Sequence, residues 1–181
     1  MSTATVTAMP AGTYSIDPSH SSVEFAVRHM GIATVRGQAT EFEGTIDATG
    51  DSPTLEGTVQ VDSITTQDEQ RDQHLGAPDF FDVQRFPQIS FRSSGIEISD
   101  DGSVRLPGEI TIKGVTKEIE LTGSFAGAGT DPWGNERIGL DVSTTVDRRD
   151  FGLNWNQPLP GGGLLVSNEV KLELSASAVK A

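Results

Sequence analysis

The sequence contains no cysteine. That alone excludes a disulfide framework, a thiolate metal site, a cysteine nucleophile and a thiol redox switch. Positive charge is also scarce: 13 Lys and Arg stand against 26 Asp and Glu, a formal net charge of −13 at pH 7. Nucleic-acid binding needs a basic face that displaces phosphate counterions, and a membrane-surface anchor needs a polybasic cluster. Neither is present, so the expected partners include no nucleic acid and no stably inserted membrane. No uninterrupted apolar run exceeds three residues, whereas a bilayer-spanning helix needs about 20. The first twelve residues carry no Lys or Arg and no apolar block. They do not read as a secretory leader, and the chain is expected to be cytoplasmic.

What is present is an ordinary core supply, 35% hydrophobic residues over 181 positions, enough for one domain. Residues 1–11 are rich in Ser, Thr and Ala without periodicity and are read as a disordered tail; residues 12–181 are read as the single domain. Twenty Gly and nine Pro imply frequent turns, which suits short strands better than long helices.

Period-2 alternation marks the strands. Val23, Phe25 and Val27 alternate with Glu24, Ala26 and Arg28. Ile32 to Asp47 is β-rich, with Phe42 and Ile46 on one face and with Gly37 and Gly44 as expected bends. Leu55, Gly57, Val59 and Val61 continue the pattern. Thr66-Gln-Asp-Glu69 then matches a capping box, predicting a helix from about Gln67 to Leu75. Asp79–Asp82 could add one more helical turn behind Pro78. Strands resume with Ile89, Phe91 and Ser93. Ile110 and Ile112 run towards Lys113-Gly114 and Ile119, Leu121 and Phe125 away from it, which reads as a hairpin. Gly127 to Gly134 reads as a loop, and Ile138, Leu140 and Val142 as a strand. Gly161–Gly163 is a flexible point, and Val166 to Leu174 forms the last strand. Eight to nine strands, one short helix and no βαβ rhythm imply an antiparallel barrel or a sandwich. Of the two, an eight-stranded barrel has room inside for one small ligand.

Few residue clusters suggest chemistry. His20, His29 and His74 lie on three separate segments without metal-ligand spacing, so no metal and no cofactor are expected. Asp17-Pro-Ser-His20-Ser21 contains the residue types of a hydrolytic triad, but adjacency is not triad geometry, and the segment reads as a turn. No Gly-x-Ser-x-Gly elbow occurs. Gly161–Gly163 lacks the Lys and Ser of a phosphate loop. Two Arg–Asp clusters, Arg71-Asp72 and Arg148-Arg149-Asp150, fit either an internal Arg–Asp bridge or an anion clamp at a cavity mouth. The aromatic residues, among them Phe25, Phe42, Phe91, Phe151, Trp133 and Trp155, fit core packing or the lining of an apolar site.

Several strings then resemble one family in order. Tyr14-Ser-Ile-Asp-Pro-Ser-His20-Ser-Ser-Val-Glu-Phe25-Ala-Val-Arg-His29 resembles the opening of the YceI-like family of polyisoprenoid-binding proteins. Arg71-Asp-Gln-His-Leu75, Phe80-Phe-Asp82, Phe86-Pro87 and Phe91 resemble its central block. Gly108-Glu-Ile-Thr-Ile-Lys-Gly114 resembles its hairpin, and Arg148-Arg-Asp-Phe-Gly152 its late motif. The resemblance covers about residues 12–176. It implies an all-β fold, an eight-stranded antiparallel lipocalin-like barrel with a short helical insertion, enclosing an apolar tunnel for a polyisoprenoid chain such as a quinone tail or a polyprenyl phosphate. The implied function is non-enzymatic binding, transport or storage of such an amphiphile. The alternative is a hydrolase or isomerase acting on an isoprenoid lipid inside the barrel, with His29 or His74 as acid–base. On this reading Phe25, Val27, Phe42, Phe91, Ile110, Ile112, Leu140, Phe151 and Trp155 surround the tunnel, and His29, Arg71 and Arg148 form its polar end. The partner is a small-molecule lipid, and pairing into a homodimer is compatible with a barrel that carries apolar faces.

Overall fold

The computed structural model describes residues 8–181; most of the segment read as a tail lies outside them. Met9 is half-buried against the core, and the Pro10 carbonyl accepts a hydrogen bond from the Tyr14 hydroxyl at 2.8 Å.

The strands follow one another as an antiparallel meander. They are β1 (Thr13–Ile16), β2 (Ser22–His29), β3 (Ala33–Ala39), β4 (Phe42–Asp47), β5 (Thr54–Gln60), β6 (Ile64–Thr65), β7 (Gln88–Ser93), β8 (Glu97–Ile98), β9 (Ser103–Ile112), β10 (Val115–Thr130), β11 (Glu136–Asp147) and β12 (Val166–Lys180). One helix, α1 (Glu69–Gly76), lies between β6 and β7. The order β1-β4-β5-β7-β9-β10-β11-β12 returns to β1 through Tyr14↔Lys180, so the sheet closes as an eight-stranded antiparallel barrel. Three staves are broken in the middle. β1 passes to β2 through a 3-10 turn at Pro18–His20, β3 passes to β4 across Thr40 and Glu41, and β5 passes to β6 through Val61–Ser63. The long β12 therefore pairs β1 with its C-terminal end and β2 with the rest of its length. The ring through β1 has no sheet edge, whereas above it the ladder ends at β6, which pairs β3 through Gln38↔Thr65 and Ala39↔Ile64.

The sequence explains most of these choices. Lys113 and Gly114 both have left-handed backbone, φ 51° and 76°, as a two-residue hairpin turn matched to strand twist requires. Gly37 and Gly44 are needed for room: a Cβ on Gly37 would overlap the Phe25 ring, and one on Gly44 would lie 2.6 Å from the Ile16 side chain.

Three expectations change. The helix begins at Glu69, not Gln67, because Gln67 is left-handed (φ 66°) and Asp68 is the N-cap, its carboxylate accepting from the Arg71 amide at 3.0 Å. Thr66 is occupied elsewhere, as described below. Asp79–Asp82 forms hydrogen-bonded turns onto the Ala77 carbonyl, ending at a left-handed Asp82. Gly127 to Thr130 extends β10 past a bulge at Phe125/Gly127, leaving Asp131–Asn135 as the loop.

The barrel has two levels. At the lower end, where β10 turns into β11, side chains pack solidly: Tyr14, Ile46, Leu106, Leu121, Phe125, Ile138, Leu140, Val142, Ala176 and Ala178 form one buried cluster. At the upper end, beside the Lys113-Gly114 turn, the same inward stripes become only half-buried. Val142 is buried but Val146 half-buried on β11, Leu121 buried but Ile119 half-buried on β10, and Ala176 buried but Leu172 and Val170 half-buried on β12. An inward-facing apolar residue that is only half-buried faces open space.

Candidate ligand-binding site

That space is a cavity of about 650 Å³, within the ~300–1,000 Å³ usual for small-molecule sites. Its floor is the top of the packed cluster, Ile16, Leu55, Leu106 and Leu121. Its walls are the inward residues of the strands: Val23, Phe25, Val27 and His29 from β2, Phe42 from β4, Ile89 and Phe91 from β7, Ile110 and Ile112 from β9, and Val170, Leu172 and Leu174 from β12. Across its upper end lie α1 and the turns after it, contributing Arg71, His74, Leu75, Phe80 and Phe81, and the segment after β11, contributing Arg148, Phe151, Leu153 and Trp155.

Eleven of the twelve residues singled out from the sequence line this one cavity: Phe25, Val27, His29, Phe42, Arg71, Phe91, Ile110, Ile112, Arg148, Phe151 and Trp155. Leu140 does not. It is 1% exposed within the lower cluster, facing Phe125 on β10 and Ala176 on β12. Alternation assigns it to the inner face, but the face says nothing of height along the barrel, and at its level the barrel is filled. Trp133 is 81% exposed in the lower β10–β11 loop and lines nothing. The upper wall of β12, Val170 and Leu172, is missing from the set chosen from the sequence, although its alternation was plain there.

The Arg–Asp clusters resolve into neither simple bridge. Arg71 donates from Nε to the Thr66 hydroxyl (2.7 Å) and from Nη2 to the Thr66 carbonyl (2.9 Å). Asp72 accepts from the Thr66 amide (2.8 Å), the Thr66 hydroxyl (2.6 Å) and the Thr65 hydroxyl (2.9 Å). Burial opposes ionisation of Asp72, but these bonds outweigh it and hold the carboxyl below its usual range. The pair thus clips the start of α1 to β6. In the second cluster it is Arg149 that pairs with Asp147, at 2.6 Å on the surface. Arg148 turns inward, 6% exposed, donating from Nε to the Ser167 carbonyl (2.9 Å) and from Nη1 to the Leu153 carbonyl (2.6 Å).

An aromatic group joins α1 to the far side of the mouth. The His74 ring meets Phe80 and Trp155 edge-on, with centroids 4.9 and 4.8 Å apart, and Phe80 lies 5.5 Å from Trp155. The Asp17–Ser19–His20 segment does come into mutual contact, but not as a triad. The same His20 Nδ1 faces both Ser19 Oγ (3.0 Å) and Asp17 Oδ2 (2.8 Å), and Ser19 donates directly to Asp17 (2.7 Å). A triad needs the acid and the nucleophile on opposite ring nitrogens. The group sits outside the barrel and Asp17 also pairs with Arg137 at 2.9 Å, so it braces a turn. Among the described residues no cluster of His, Asp and Glu suits a metal ion, and no helix is long and apolar enough to cross a membrane.

A closed antiparallel barrel, packed below and hollow above, with a helix across the mouth, defines a lipocalin-like cavity protein. The chain matches the family model of the YceI-like domain over residues 14–178, and it belongs to that family. It is 34% identical over 167 residues to a UPF0312 protein of Staphylococcus aureus, covering 90% of this chain and 95% of that one. The YCEI protein of Campylobacter jejuni superposes with a TM-score of 0.73 at 26% identity, covering 85% of this chain and 90% of that one. A polyisoprenoid binding domain from Saccharophagus degradans, implicated in plant cell wall breakdown, superposes with a TM-score of 0.67 at 13% identity, covering 93% and 98%, a likeness of fold.

Proposed function

We propose that this protein binds and carries an amphiphilic lipid of isoprenoid type without transforming it. The observation that carries the reading is the upper cavity, about 650 Å³, walled mainly by aliphatic and aromatic side chains and floored by a packed core. Such a space accepts a chain from the mouth and stops it at the floor. Each buried CH₂ contributes about 0.8 kcal/mol, so three or four five-carbon units offer gross transfer energy on the order of 10 kcal/mol. Association and chain ordering offset much of this. Selectivity is then coarse, set by girth, length and one polar end, because apolar walls discriminate weakly between chains differing by a methylene. Membership of the YceI-like family and the fold shared with a polyisoprenoid binding domain support the same reading. Nothing at the cavity calls for a nucleophile and base, so binding is preferred to catalysis.

Trp155 reports on the cavity directly, and Trp133 is the other tryptophan. In a Trp133→Phe variant, titration with an isoprenoid quinone or a polyprenyl phosphate should change the Trp155 emission saturably, at one ligand per chain. Unchanged emission and no co-migrating lipid on gel filtration would refute the carrier reading.

A further inference from the structure

Four large hydrophobic side chains are exposed among the described residues, and three of them belong to one stretch of the upper rim: Met30 (44% exposed), Ile32 (76%) and Leu164 (49%). Met30 and Ile32 lie in the turn between β2 and β3, Leu164 in the loop before β12. The Met30 amide donates to the Leu165 carbonyl at 2.7 Å, which ties turn to loop. Their chain neighbours His29, Leu165 and Val166 line the cavity, so the rim continues its wall to the outside. Both segments are held in place. Arg28 braces the turn, donating from Nη1 to the Thr34 hydroxyl (3.0 Å) and from Nη2 to the Gly31 carbonyl (2.9 Å). The Asn156 side chain bonds the Val166 carbonyl (2.7 Å) and amide (3.0 Å), and Pro158 bridges to Leu164. Met30 and Gly31 are both left-handed, φ 56° and 71°, and the Ile32 amide donates to the His29 carbonyl at 3.1 Å. The first position of such a hairpin turn favours Asn or Asp, and left-handed backbone is costly for methionine. A strained methionine left in solvent points to a use outside the fold.

Charge singles out the same place. The chain has 26 acidic residues, yet residues 25–40 and 151–168, which supply this rim, contain none; their only charges are Arg28 and Arg36. The carboxylates along the cavity lining, Glu24, Glu43, Asp68 and Glu173, lie outside both segments. Glu24 and Glu173 sit opposite each other, further down β2 and β12 than the pair His29 and Val166. We propose that this rim docks on the face of a lipid bilayer, with Met30, Ile32 and Leu164 entering the headgroup layer and Arg28 at the level of the phosphates. The contact is peripheral and reversible, made by apolar side chains rather than by a polybasic cluster. Its purpose, though not the docking itself, rests on the carrier reading: an apolar rim continuous with an apolar cavity gives a lipid chain a path from bilayer to barrel that avoids water. A basic protein partner would be met by acids, which the rim lacks. An exposed apolar patch marks a protein or a membrane contact, and continuity with the cavity favours the membrane.

The test floats the ligand-free protein with phosphatidylcholine vesicles at about 0.15 and about 0.5 M NaCl. Wild type should bind, and its partition coefficient should change less than about twofold with salt, because screening weakens charge contacts and spares apolar ones. Ile32→Ser should lower the partition coefficient on the order of tenfold. Met30→Asn should lower it about three- to tenfold while raising the melting temperature by about 1–4 °C, since Asn suits the left-handed position; loss of the fold cannot produce that pair of results. Calorimetric affinity for farnesol added from solution should stay within about twofold of wild type in both variants, because neither residue lines the cavity. No flotation, flotation abolished by the higher salt, or flotation unaltered in both variants would overturn the docking surface. A wild-type dimer that Ile32→Ser separates would also overturn it, giving the rim to a second copy of the chain. Farnesol binding without flotation would overturn the docking alone, and flotation without farnesol binding would overturn the carrier reading alone.

Discussion

Leu140 and Leu172 lie on neighbouring strands and both face the barrel axis, yet their truncation should have different costs. Leu140 is 1% exposed in the packed lower cluster. Leu140→Ala leaves a new void there, and such changes cost about 3–5 kcal/mol. Leu172 is half-buried and faces the upper cavity. Its removal opens no new void, because the space is already present. What is lost is roughly half of the ~1.5–3 kcal/mol for a fully buried aliphatic side chain, about 0.8–1.5 kcal/mol. The gap between the two variants is therefore about 1.5–4 kcal/mol, which for a domain of this size is about 3–16 °C in melting temperature. Urea denaturation of the lipid-free protein gives the comparison directly, provided the slope is the same in both variants. Equal costs, or a greater cost at Leu172, would refute the two-level account: the upper barrel would then be as tightly packed as the lower.

Three further outcomes follow from particular contacts. Gly37→Ala forces the Phe25 ring off its seat, so it should cost about 1–3 kcal/mol as overpacking and weaken ligand uptake in a titration of the folded variant; unaltered uptake would mean that Phe25 does not bound the ligand. Asp72→Asn removes the charge from the clip between α1 and β6, costing about 1–2 kcal/mol and speeding proteolytic cleavage within residues 67–76; an unchanged cleavage rate would show that the clip does not hold the helix. Asp17 and Asp131 are held well below the usual carboxylate range, Asp17 by the Ser19 hydroxyl and then by Arg137, Asp131 chiefly by Arg137. Their folded-state pKa values are depressed, so their stabilisation is present above about pH 4 and is lost as pH falls through the folded values. Arg137→Gln should lower stability at neutral pH and flatten the acid limb of the melting temperature below about pH 4; an unchanged acid limb would contradict the assignment.

Much of the architecture was legible because a strand has only two faces. The alternation of Val23, Phe25 and Val27 fixes which of them look inward, and the paired left-handed Lys113 and Gly114 occupy a position where the alternation reverses. Height along the barrel leaves no such mark. Leu140 and Val146 share a strand and a face, one in the plug and one at the cavity, and the difference depends on which strands close below and which break above. The helix start was missed because Thr66, a good cap by type, is engaged by Arg71 and Asp72, and a cap and a tertiary clip use the same hydroxyl. The inward turn of Arg148 had no local signal. Its partners are main-chain carbonyls, Leu153 in the segment after β11 and Ser167 at the start of β12, and any residue type could have supplied them. Arg149, next in sequence, takes the acid that a local reading would have shared between them.

The central claim is that the upper cavity holds a lipid chain. Native mass spectrometry of the freshly purified protein, followed by organic extraction and mass analysis of what is released, tests it most directly. The account predicts one adduct per chain, released by solvent, with a mass that fits an isoprenoid. A bare protein that also takes up no isoprenoid acid, alcohol, phosphate or quinone on incubation would contradict it.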